Sequence, residues 1–125
     1  GIRKIALIWQ LVKNGTLEKG SILFWDEPEA NINPIHLSVI AEILLTLQRN
    51  GVQVFISTHD YVLAKYIEIR KKEEDQVAFF SFYSEEDTVR CERNEKFSQL
   101  KNNPIMSAFN DLMDEIYENQ VNGND

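Results

Sequence analysis

The chain has 125 residues, 43% hydrophobic and 26% charged, the composition of a globular chain able to bury one core; collagen-like, disulfide-rich and wholly disordered classes are excluded. Twenty acidic residues against thirteen basic ones give a net charge of -7, a surface that repels phosphate backbones and anionic membranes, so nucleic-acid binding through a general basic field is not expected of this chain. The single cysteine, Cys91, excludes an internal disulfide and reads as a small apolar core residue in a strand, which fits a reducing cytoplasm. No apolar run reaches the roughly 18 residues of a membrane span, and charges spread through the first residues leave no secretory signal, so no membrane partner is expected. Gly1 leads straight into a helical apolar pattern, which we read as a cut made inside a longer protein.

Ile2, Ile5, Ala6, Ile8, Trp9 and Val12 recur at helical spacing and predict a first helix, stopped by Asn14-Gly15. After a polar turn comes Ile22-Leu23-Phe24-Trp25, apolar without alternation, which suits a parallel strand covered by helices on both faces. It ends abruptly at Asp26-Glu27-Pro28. A second helix is predicted from Asn33-Pro34, with Asn33 as cap and Val39, Ile40, Ile43, Leu44 and Leu47 as its apolar face, closed by Asn50-Gly51. Val52 to Ser57 repeats the strand pattern and gives way to Ser57, Thr58, His59 and Asp60. Strand, helix, strand is a parallel crossover unit, so both strands deliver their polar residues to one edge, where open α/β sheets carry their sites.

Tyr61 to Lys72 reads as a third helix whose terminal cations suit its negative pole. Val77 to Tyr83 and Thr88 to Arg93 form a predicted hairpin around Ser84-Glu85-Glu86-Asp87. Pro104 to about Gln120 is a closing amphipathic helix with Ile105, Phe109, Leu112, Met113 and Ile116 inward. The expected core gathers Phe24, Ile43, Phe55 and Phe79.

The chemistry concentrates in Ile22 through Pro34. Adjacent carboxylates at the end of an apolar strand are costly to desolvate, and a task explains them better than stability does. In nucleotide hydrolysis one carboxylate can hold a magnesium ion and the next can orient or deprotonate the attacking water. The crossover brings His59 to the same edge, where an imidazole can sense or stabilise a terminal phosphate. Solvated-turn roles for Asp26 and Glu27, and a loop role for His59, are the alternatives.

The succession strand, Asp26-Glu27-Pro28, turn, Asn33-Pro34, helix, strand, Ser57-Thr58-His59-Asp60 resembles the C-terminal half of the nucleotide-binding domain of ABC-type ATPases. It looks most like the non-transporter group related to chromosome-maintenance and recombination ATPases, often labelled AAA-family ATP-binding proteins. The resemblance implies an α/β fold, part of a three-layer P-loop NTPase sheet of parallel strands with a C-terminal hairpin and helix. It implies that residues 1–75 are the C-terminal half of the ATPase core and 76–125 the hairpin and closing helix of the same domain. It further implies a Walker B strand ending in Asp26, which assists magnesium, and Glu27, the catalytic base. Glu29-Ala30-Asn31-Ile32-Asn33-Pro34 becomes the D-loop and His59 the switch histidine. The resemblance also implies that Gly1 and Arg3, at the tail of the signature motif, face the partner subunit's ATP together with Asn31 and Asn33. Asn103-Pro104-Ile105 before a final helix is a weaker similarity.

The chain also departs from the family. None of its five glycines begins a Gly-rich loop ending in Lys-Ser or Lys-Thr, the Q-loop and adenine-stacking segment are absent, and Asn33 stands where many members carry Asp or His. The expectation is therefore a fragment of an ATPase whose parent binds ATP and magnesium and dimerises through an ATP sandwich. The fragment itself is expected to be inactive without its missing N-terminal half. Nucleic acid remains open for the parent and is not expected for the fragment. Two other classes stay open: a protein-binding module on a half-fold that has lost hydrolysis, and a metal-dependent hydrolase built on Asp26, Glu27 and His59, a thin ligand set.

Overall fold

In the computed structural model, which describes residues 2–123, the chain falls into two compact units, Gly1–Val77 and Ala78–Asp125. The first unit contains α1 (Ile2–Lys13), β1 (Ile22–Asp26), α2 (Leu37–Arg49), β2 (Gln53–Ser57) and α3 (Tyr61–Arg70). The predicted cap at Asn33 is present, but it opens a 3-10 turn over Pro34–His36 and the α-helix begins only at Leu37. Asn33 Oδ1 accepts the Ile35 N–H, and the Leu37 N–H closes on Pro34 O, a tighter bond than the α-helix makes.

Helix α2 buries Leu37, Ile40, Ala41, Ile43, Leu44, Leu45 and Leu47, a broader face than its sequence stripe, while Val39, expected inward, is 41% exposed. It ends as predicted at Asn50-Gly51. Gly51 takes a φ of 84°, its N–H bonds Gln48 O, and the Val52 N–H bonds Leu47 O, the paired bonds of a left-handed helix cap. Val52 and Leu47 then pack together with Ile43 and turn the chain directly into β2.

Strands β1 and β2 pair in parallel with Ile22 opposite Gln53 and Asp26 opposite Ser57. Leu23, Trp25 and Val54 face the Ile43, Leu47 and Val52 cluster, joined by Leu17. The alternate residues Ile22, Phe24 and Phe55 face away and are exposed, Phe24 at 75%. This corrects the expectation of a strand covered on both faces. Among the described residues helices cover one face only, and Phe24 and Phe55 limit their contact with water by stacking, ring centroids 5.0 Å apart. Helix α3 is capped by Asp60, which accepts the Leu63 N–H, and buries Leu63, Ala64 and Ile67. Beyond it, Asp75 takes Arg49 in two bonds of 2.9 and 2.7 Å, the Gln48 amide at 2.6 Å and the Lys72 N–H at 2.7 Å. This clasp holds the end of α2 to the turn after α3.

In the second unit, β3 (Phe79–Glu85) and β4 (Thr88–Asn94) form the predicted antiparallel hairpin. Its two turn residues, Glu86 and Asp87, both have positive φ, as a primed two-residue turn requires. Phe79 lies against Phe97, 5.7 Å between centroids, within the second unit, whereas Ile43 packs in the first; of the expected core quartet, Phe24 and Phe55 are exposed. Cys91, expected in a core, is exposed: it is paired with Phe82 on the open face of the hairpin, where Phe80, Phe82 and Val89 are exposed too. Glu92 accepts the Lys101 and Asn102 N–H groups, and those bonds hold its carboxyl below its usual range. Buried Asn103 donates to Phe97 O and accepts the Met106 N–H, which starts α4 (Pro104–Gly123). Leu112, Met113 and Ile116, expected inward on α4, are exposed, because no described residue packs over that stretch deeply enough to bury it.

Candidate functional site

Two parallel strands of equal length ending in register bring the chain out of the sheet twice at the same level. Asp26 is the last residue of β1 and Ser57 its partner on β2, both on the face turned away from α2. The Ser57 hydroxyl donates to Asp26 Oδ1, so one carboxylate oxygen is fixed and the other is left for a ligand. One residue on, the Glu27 N–H donates to Ser57 O at 2.9 Å and extends the ladder, and then the backbone turns at φ 50°. Pro28 is fully buried and pins this turn, which closes through the Ala30 N–H on Glu27 O and the Ile32 N–H on Glu29 O. Asn31 also has positive φ, 61°. A glutamate and an asparagine in the left-handed region four positions apart at a strand end are costly backbone choices of the kind found at working sites.

On the second strand end, Thr58 and His59 follow Ser57 before Asp60 caps α3. His59 Nε2 lies 4.0 Å from Glu27 Oε1, with the histidine side chain 90% and the glutamate 49% exposed. This is an electrostatic approach and not a hydrogen bond; both groups are open to solvent, so a water can bond to both from their exposed flank. The predicted convergence of Asp26, Glu27 and His59 on one edge is thus what the fold produces. The other candidates sit differently. Asn33 spends its side-chain oxygen on the Ile35 N–H, Asn31 is exposed in the turn, and Arg3 is exposed in the first turn of α1 and takes no part in the Glu27–His59 pair. Gly1 lies outside the described residues.

Two contacts at this edge escaped the sequence reading. Ser57 was legible only as a polar strand end, and the register is what sets it against Asp26. Glu29 reaches across from the β1 turn to the β2 turn: the Thr58 hydroxyl donates to its Oε1 at 2.7 Å and the His59 N–H at 3.4 Å. A carboxylate three residues past Asp26, facing a Ser-Thr-His strand end, is the signal that pairing two parallel strand ends could have revealed.

The donor set suits a hard cation held in part by other ligands. No group of three or more His, Cys, Asp or Glu that could hold a metal exists among the described residues. An aspartate beside a hydroxyl matches magnesium, which keeps several waters and takes only one or two protein carboxylates along with substrate phosphates. A fully protein-built metal site is not what the edge offers. No helix among the described residues is long and apolar enough to cross a membrane.

A family model described as "AAA domain, putative AbiEii toxin, Type IV TA system" matches residues 1–65, just over half of the chain and all of the elements that form this edge. No curated protein and no solved structure matches the chain.

Proposed function

From the premise that the chain belongs to the AbiEii toxin-like AAA-domain family, whose members are nucleotide-binding ATPase-type domains, we propose that it supplies the hydrolytic edge of an ABC-like ATPase. The supporting observation is the convergence of Asp26, Glu27 and His59 at two parallel strand ends, with Glu27 and His59 4.0 Å apart across open space. In the proposed roles Asp26, steadied by Ser57, holds magnesium, which when bound neutralises phosphate charge. Glu27, half exposed and aimed at the gap, orients and deprotonates the attacking water. His59 donates to the charge that grows on the terminal phosphate. The turn from Glu29 to Asn33 is the D-loop in this assignment, and the partner for Asn31, Arg3 and Gly1 is a second subunit's ATP.

The phosphate grip is not among this chain's five glycines, so the proposal needs a Gly-rich loop supplied by further sequence of the same protein, with this chain as the C-terminal part of a three-layer domain. ATP and magnesium are its ligands, and a homodimer closed over two nucleotides its working assembly. The test is turnover by the polypeptide that carries both the loop and these residues. Glu27→Gln should lower kcat at least about 100-fold and leave ATP affinity intact, since a general base contributes on that order and the amide keeps its size. His59→Ala should slow turnover with little change in KM. Undiminished turnover in Glu27→Gln defeats the assignment, and ATP hydrolysis by the 125-residue chain alone, abolished by the same substitution, defeats the claim that the grip lies elsewhere.

A further inference from the structure

We propose that Glu29 is a positioning residue that ties the two strand-end turns together and thereby sets the distance between Glu27 and His59. The inference rests on the assignment of those two residues as the hydrolytic pair. Glu29 belongs to the turn that Glu27 opens: the Ala30 N–H bonds Glu27 O and the Ile32 N–H bonds Glu29 O. Its carboxylate leaves that turn and enters the other one. Oε1 accepts the Thr58 hydroxyl at 2.7 Å and the His59 N–H at 3.4 Å. Thr58 Oγ1 accepts the Asp60 N–H at 3.0 Å in turn, and Asp60 Oδ1 caps α3 through the Leu63 N–H at 2.8 Å. A continuous path of hydrogen bonds therefore runs from the β1 turn through Thr58 to the first turn of α3, and His59 hangs from its middle.

The other oxygen makes the case specific. Glu29 Oε2 is shut off from solvent and has no hydrogen-bond partner among the described residues, the sole buried side-chain oxygen or nitrogen found in that condition. Leaving a side-chain oxygen buried and unpaired is costly, and the bonds to Thr58 and His59 across the two turns are what the side chain gains against that cost. Costs of this sort collect where a geometry is being held for function. His59 itself has little else to fix it. Its side chain is 90% exposed and its one ion-pair neighbour, Glu27, is 4.0 Å away. The bonds from Glu29 to the His59 N–H and the Thr58 hydroxyl hold the stretch of backbone from which the imidazole extends.

The experiment uses the intact 125-residue chain and NMR signals of its two histidine rings, with His36, on the 3-10 turn, as the internal reference. In the unaltered chain, Glu27→Gln should shift the His59 ring signals and leave those of His36 in place. In a Glu29→Ala background the same substitution should leave the His59 signals unmoved, and the Asp60 amide should exchange about fivefold faster, the effect of one lost hydrogen bond. Glu29→Gln keeps an accepting oxygen and should restore both readouts, which a purely structural loss would not do. Thr58→Val cuts the same path from the other side and makes the measurement if Glu29→Ala fails to fold. The two substitutions together should do no more than either alone. A His59 response to Glu27→Gln that persists in Glu29→Ala or Thr58→Val, or that glutamine at 29 fails to restore, overturns the proposal. No nucleotide takes part, so failure here leaves the ATPase assignment standing, and loss of that assignment leaves this coupling intact.

Discussion

At the scale of single residues, position in the fold decides which of the twenty carboxylates matter. Asp75 and Glu27 are both acidic residues next to charged neighbours in the sequence, yet one is a clasp and the other is the base of the proposed assignment. The Asp75 side chain is all but excluded from solvent, and the Arg49 guanidinium, assisted by the Lys72 N–H and the Gln48 amide, holds its carboxyl well below the usual carboxylate range against the cost of burial. A group whose folded value is depressed adds stability above its unfolded value, about 3.9, and loses it as pH falls further, because the unfolded chain then binds more protons. Asp75→Asn should lower the melting temperature by roughly 5 °C at pH 7. The gap to the unaltered protein should hold down to about pH 4 and narrow progressively below it, since the folded carboxyl stays charged to a lower pH than the unfolded one. Thermal melts across that range check it, and a gap independent of pH defeats it.

Among the elements, β1 carries the sharpest contrast. Its four leading apolar residues look alike as a run, but the pleat sends Leu23 and Trp25 to the helix-covered core and Ile22 and Phe24 to the open face. Leu23→Ala should therefore cost about 2–3 kcal/mol, the effect of a cavity under α2, while Phe24→Thr should cost less than about 1 kcal/mol, most of it the lost stacking on Phe55. Urea unfolding of the two variants ranks them, and the reverse order would contradict the exposed face. The same pleat explains why the sequence misled: continuous hydrophobicity predicts cover on both sides of a strand, and only the placement of the helices says which sides are covered. Helix α4 repeats the lesson, since periodicity located its apolar stripe at Leu112, Met113 and Ile116 and left unstated whether anything would pack on it.

For the whole molecule, net charge is the property that composition supplies outright. At -7 the chain offers no attractive field to a phosphate backbone, and we expect a labelled DNA duplex in low salt to show no change in anisotropy at about 10 μM protein, conditions under which non-specific binders saturate. Saturable binding would show that a local basic surface outweighs the total. The division into units at Val77 and Ala78 has no comparable mark in composition; within the second unit Phe79 of the hairpin packs on Phe97.

The sequence by itself determined the order of elements, the cap at Asn33, the left-handed stop at Gly51, the existence of the hairpin, and the pairing of a strand ending in Asp26-Glu27 with one ending at Ser57-Thr58-His59. Those features are local: turn chemistry, caps and periodicity act within a few residues, and a parallel crossover permits one arrangement of strand ends. Tertiary structure alone decided which apolar residues are buried, that Cys91 is exposed, that Ser57 steadies Asp26, and that Glu29 spans to Thr58 and His59. Each of these depends on strand register or on what lies over a face, and register joins residues 31 positions apart through backbone pairing that no short window of sequence contains.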